Sequence, residues 1–182
     1  ETCHLEEFSS ADGIPNAVGV GTKGKGPNRV LSGRGKFIPR NTLPLWGTGG
    51  IGFKTFFWDG KVDFLNETKV SPFGDNTPSN DPLVVAVHLP AIEIGEMLVD
   101  DSKVEKYKKE TTDDALKVYQ LIVDKLRKED NKTIKELAVA LNKGESEVKF
   151  IHIARAIGSF IRSEFKIKKT RFEEFLFEGG KL

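Results

Sequence analysis

The chain is 182 residues long and carries 28 Lys and Arg against 27 Asp and Glu, a formal net charge of +1 with its three histidines neutral. That length allows one large domain or two small ones with a sizeable core, and the near-balanced, dispersed charge leaves no electrostatic case for binding nucleic acid or an anionic membrane. The longest apolar run, Leu83 to Leu89, ends at a proline far short of a bilayer span, and a single cysteine rules out an internal disulfide.

The sequence opens Glu1-Thr2-Cys3-His4. Cys followed directly by His is the tail of a C-x-x-C-H haem attachment motif, in which two thiols add across the haem vinyl groups and the histidine binds the iron. The first cysteine would sit one residue before Glu1, so the sequence is expected to begin inside its own cofactor site. The competing account is an unremarkable terminus. If Cys3 is a haem arm, the compartment is the one where c-type haem is attached, outside the bacterial cytoplasm.

From Ala11 to about Pro82 the composition is rich in Gly, Pro, Asn, Ser and Thr, and predicts mostly long ordered loops. Loops of that length are uncommon unless they wrap something. Within them, residues 19–24 satisfy G-x-G-x-x-G and residues 19–25 the first seven positions of a P-loop. Both readings are set aside. A dinucleotide fingerprint needs a buried strand before it and a helix after it, whereas Pro15-Asn16 precede and Gly26-Pro27-Asn28 follow. A P-loop needs Ser or Thr where Gly26 stands.

From about Ile92 the pattern turns helical. Ala115, Val118, Tyr119, Ile122 and Leu126 share one face, and Ile134, Leu137, Ala138 and Leu141 share another. Thr133 and Glu136 are spaced as a capping box for that second helix, with Gly144 as its stop. Phe150, Ala154, Ile157 and Ile161 form a third stripe; Phe172, Phe175 and Leu176 begin a fourth, closed by Gly179-Gly180. His88 and His152 read as core or surface histidines. A loop-rich half joined to a helical half suits a cofactor shell better than a self-sufficient core.

Several short segments then fall in a recognisable order. Phe8, Asp12-Gly13, Gly19, Gly21, Arg40-Asn41-Thr42 with Pro44, and Phe56-Phe57-Trp58-Asp59-Gly60-Lys61 are followed by Pro90, Glu96-Met97, residues 153–157 with Phe160, Arg171-Phe172 and Phe177-Glu178-Gly179. This series resembles the bacterial di-haem cytochrome c peroxidase family, which includes the MauG-type enzymes. The resemblance implies a mostly α, cytochrome c-like haem domain with long ordered loops. It further implies that residues 1–182 are the N-terminal, peroxide-handling domain of two, with the electron-accepting C-terminal haem domain outside this sequence.

By the same resemblance, Cys3 is one of two thioether attachments of a covalent haem c and His4 is the proximal iron ligand. Glu96 is the distal acid and base: one carboxylate within reach of both peroxide oxygens can take a proton from one and return it to the other. Glu93, three residues away on the same expected helical face, is its rival, and a plain helix-start carboxylate is the other account of Glu96. Trp58 holds the position of a tryptophan between the two haems; a core aromatic beside the Asp59-Gly60 turn is the alternative. Asn41 matches a calcium ligand at the domain interface. The implied partners are hydrogen peroxide, a donor c-type cytochrome or cupredoxin, and the second haem domain. The implied compartment is periplasmic, and a homodimer is compatible with the family.

This sequence departs from the better known members in three places. Thr68 stands where they place a glutamine near the peroxide site, and the segment between Pro72 and Pro90 is longer than theirs. No histidine lies between His4 and Trp58, where many members have one that closes the sixth iron site at rest. An iron open on one side is therefore expected. The alternatives to peroxide reduction are a MauG-like oxidase acting on a protein substrate, a c-type electron carrier, and a haemless helical interaction domain.

Overall fold

The structure, a computed structural model, describes residues 3–31, 36–50, 52–65, 68–93, 95–98 and 112–181. Its centre is the apolar run that sequence periodicity leaves unassigned: Pro82–His88 is helix α1. Asp81 caps it, accepting from the Leu83 N–H at 3.0 Å, and Pro82 sits in the first turn, where the missing amide hydrogen costs nothing. Leu83, Val84, Val85, Ala86 and His88 are all buried. The run has no amphipathic period because neighbours cover the helix on every side.

Those neighbours are α2 (Thr112–Glu129), α4 (Phe150–Glu164) and a hairpin of β3 (Thr55–Phe56) and β4 (Val62–Asp63). Each fully buried Leu, Ile or Val in this cluster contributes about 1.5–3 kcal/mol of apolar burial. His88 lies among them, 2% exposed, with Nδ1 donating to the Val84 carbonyl oxygen at 2.6 Å. Phe73, Tyr119 and Phe150 meet its ring edge-on, and Tyr119 and Phe150 stack at 4.3 Å. The Tyr119 hydroxyl donates to the His88 carbonyl at 2.9 Å. Burial lowers the His88 pKa and raises that of Tyr119, so both are neutral core groups.

The helical half forms as its stripes predict, with three corrections. The second helix, α3 (Asn131–Ala140), begins before Thr133: Asp130 is its cap, accepting from both the Thr133 amide and hydroxyl. Glu136 faces Lys132 at 3.8 Å instead of reaching back. Its stop is Asn142, not Gly144. Asn142 takes φ 52°, and the amides of Asn142 and Lys143 return to Val139 and Ala138, the hydrogen-bond pair of a Schellman motif. On α4 the buried face runs through Phe150, Ala154, Gly158 and Ile161, while Ile157 is exposed. Gly158 lies on that face against Val84 and Leu83, where a Cβ would make ordinary contacts of 3.5 and 3.8 Å.

Ile134 and Ala138 of α3 close a second, smaller cluster with Val148. The fourth segment is α5 (Arg171–Phe177), opened by a Thr170–Glu173 capping box, and its Phe172, Phe175, Leu176 and Phe177 are exposed. Among the described residues no helix is long and apolar enough to cross a membrane.

The first half is irregular, as expected. It holds short 3-10 turns and a two-residue ribbon, β1 (Thr22–Lys23) against β2 (Val30–Leu31). Only a single 3-10 turn, Gly26–Asn28, follows the glycines of residues 19–24, and no α-helix starts there to present its amides to a phosphate. Residues 17–20 are the hub of this half. Ala17 exchanges hydrogen bonds with Arg40 and Ile38, Val18 bridges Phe37, and the Val20 amide donates to the Glu96 carbonyl at 2.8 Å.

Candidate haem-attachment site

Cys3 and His4 precede a short 3-10 turn, Glu6–Phe8, whose chain folds back so that Leu5 pairs with Ala11. Ser9 and Ser10 both take positive φ, which turns the Ser10 carbonyl towards the His4 ring. Ser10 is buried, and its hydroxyl oxygen accepts from the Leu45 amide at 2.6 Å. Asp12, also fully buried, accepts from the Thr42 hydroxyl at 2.9 Å. Two buried polar side chains thus fasten the Cys-His turn to residues 42–45.

The His4 ring fits an iron ligand. Its Nδ1 lies 2.8 Å from the Ser10 carbonyl oxygen, an atom that only accepts, so Nδ1 carries the hydrogen and Nε2 keeps its lone pair. Metal-ligating histidines are held in this way, with one ring nitrogen committed to a carbonyl and the other offered to the metal. His4 presents an exposed edge, while the chain packed behind it withdraws the ring from water and lowers its pKa; the Ser10 bond opposes this. The ring is therefore a neutral, oriented nitrogen donor next in sequence to the Cys3 thiol, which suits iron ligation.

Arg29 ties this turn to the hub. Its guanidinium donates to Cys3 Sγ at 3.2 Å, to the Gly19 carbonyl at 2.8 Å and to Thr22 Oγ1 at 2.9 Å. Gly19 in turn packs on Gly95 so closely that a Cβ on Gly19 would sit 1.2 Å from the Gly95 oxygen. Only glycine fits. Nothing in the local sequence signals Arg29, whose partner Cys3 lies 26 positions away.

Glu96 lies beyond that contact in a turn, not on a helix. Gly95 takes φ 97°, and the amides of residues 96–98 converge on the Glu93 carbonyl. The expectations that Glu96 starts a helix and shares a helical face with Glu93 are corrected: a left-handed Gly95 cannot continue one. Glu96 is partly buried, which raises its carboxyl pKa, and the ammonium of Lys61 works against the rise. Lys61 stands over the Phe57 ring at 4.9 Å, at the end of the β3–β4 hairpin.

Trp58 is at the tip of that hairpin. Phe56 and Val62 are buried at its base, Phe57 takes φ 68° and Gly60 φ 67°, and the tip turns outward. Trp58 is 65% exposed, so it is not a core aromatic. With Asn41, Arg40, Pro15 and Pro39 it lines an open depression of about 400 Å³, where Arg40 and Asp59 approach to 3.7 Å. Asn41 and Trp58 therefore share one surface. Among the described residues no three His, Cys, Asp or Glu side chains gather as a metal site. Thr68 is exposed, and His152 accepts from the Lys149 amide at the start of α4.

A mostly helical body with a long loop shell fits a cytochrome c-like fold. The sequence model of the di-haem cytochrome c peroxidase family matches residues 1–181, and the chain belongs to that family. Membership carries covalent haem c and haem-dependent, peroxidase-like oxidoreductase chemistry. Searches of curated proteins and of solved structures find no match.

Proposed function

We propose that this chain is the peroxide-handling haem domain of a periplasmic di-haem peroxidase. It reduces hydrogen peroxide to two waters with two protons and two electrons, the electrons coming from a small donor cytochrome or cupredoxin through a second haem domain. Bound through Cys3 and His4, a haem supplies the iron that takes peroxide and the store of oxidising equivalents. The observation that carries the reading is the His4 ring, fixed by the Ser10 carbonyl as the tautomer that offers Nε2.

The chain's own residues supply the rest. Glu96 is the proton carrier; partial burial keeps its carboxyl weakly acidic enough both to accept a proton and to release one. Trp58, exposed on the same depression as Asn41, offers an indole to the second haem domain. The Asn41 amide oxygen is a donor that calcium accepts, the remaining ligands coming from that second domain.

The test is the absorption spectrum of the haem-loaded protein before and after peroxide, with Glu96→Gln beside it. A high-spin ferric spectrum that shifts on peroxide is expected, with turnover abolished in E96Q while haem stays attached. A low-spin spectrum indifferent to peroxide would overturn the reading in favour of an electron carrier. Full turnover in E96Q would move the proton role to Glu93.

A further inference from the structure

Arg29 is the side chain that the proposed chemistry leaves unused. Its two terminal nitrogens bond Cys3 Sγ, the Gly19 carbonyl and Thr22 Oγ1, all of them uncharged acceptors or a weakly accepting sulfur. No carboxylate among the described residues lies within ion-pair distance of it. Its Nε is buried and has no hydrogen-bond partner. The guanidinium is thus a positive charge fixed by neutral groups and, among the described residues, uncompensated by an acid, an arrangement that costs desolvation energy. Such a charge is conspicuous at a site where neutral donors would tie the loops together equally well.

We propose that Arg29 is a positioning residue that holds this charge against the Cys3 sulfur, at the edge of the haem, and raises the haem's reduction potential. The inference rests on the reading that Cys3 and His4 carry a haem. A cation beside the macrocycle disfavours the ferric state, which has one more positive charge, relative to the ferrous state. At 3.2 Å from the attachment sulfur and partly buried, the charge acts through little water and little salt. Charge and burial around the group are among the levers by which a protein sets a haem potential. Lysine keeps the charge without the forked geometry, and glutamine keeps hydrogen bonding without the charge, so the two separate electrostatics from scaffolding.

The experiment is a spectroelectrochemical titration of the full-length, haem-loaded protein and its Arg29→Lys and Arg29→Gln variants, following the haem bound at Cys3. R29Q is expected to shift the midpoint potential negative, with R29K close to the parent and covalent haem content equal in all three. An unchanged potential in R29Q, or an equal fall in R29K and R29Q, overturns the proposal. Should R29Q fail to mature, Arg29→Met, which fills the space without the charge, takes its place, with the same negative shift expected and an unchanged potential overturning the proposal. Absence of haem on the Cys3 peptide of the parent protein would instead overturn the haem reading and this inference together.

Discussion

At the scale of single residues, the site depends on a few side chains whose roles follow from their partners. Lys61 opposes the burial that raises the Glu96 pKa, so Lys61→Gln should move the acidic limb of the peroxide rate profile to still higher pH. The sign is fixed: removing a nearby cation disfavours the carboxylate, and more base is needed to form it. A pH profile of kcat/KM checks this. Gly19→Ala should cost at least about 1–3 kcal/mol, as overpacking does, because its new methyl would meet backbone and not a yielding side chain. It should also disturb the Glu96 turn, so thermal melting and peroxide turnover are expected to fall together. Cys3-His4 was legible because that chemistry is written in adjacent residues. Arg29 was not, since its role depends on a chain reversal that no local pattern announces.

At the scale of elements, α1 is held by the Asp81 cap and by the pair between Asp81 and Arg162 of α4, with bonds of 2.7 and 2.8 Å. Asp81→Ala should cost about 0.5–2 kcal/mol through the cap, whereas Asp81→Asn keeps a capping oxygen and should cost less. The Arg162 guanidinium holds the Asp81 carboxyl below its ordinary range. The stability it adds is therefore complete above the unfolded value near 3.8 and is lost as pH falls through the folded one. Denaturant titrations at neutral and acid pH would show the parent and D81N converging in acid. Helices α2 to α4 could be read from the sequence because each buries one face. Their ends and α1 could not: a helix covered all round has no period, and neither the side-chain cap of Asp130 nor the left-handed backbone of Asn142 is encoded in hydrophobic spacing. The exposed Ile157 shows the same limit, since the buried face of α4 passes through Gly158 instead.

At the scale of the molecule, α1, α2 and α4 meet at the stacked pair of Tyr119 and Phe150 against His88. Phe150→Ala should lower stability by about 3–5 kcal/mol as a buried aromatic cavity, read as a lower denaturation midpoint. The division into a loop half and a helical half was legible in composition. The way the halves join was not, because it runs through Phe56, Val62 and Phe73 in the helical cluster, the Trp46–Phe165 edge contact and the Gly19–Gly95 approach, none of which is local in sequence. Among the described residues before β3, Ala17 and Val18 are the only buried hydrophobic ones, and neither belongs to either apolar cluster. Leu45 packs against the larger cluster and Trp46 meets Phe165 edge-on at 5.5 Å, so the Cys-His turn, held to Thr42 and Leu45 by the buried Asp12 and Ser10, is moored to the helical body by polar bonds and not by apolar burial of its own.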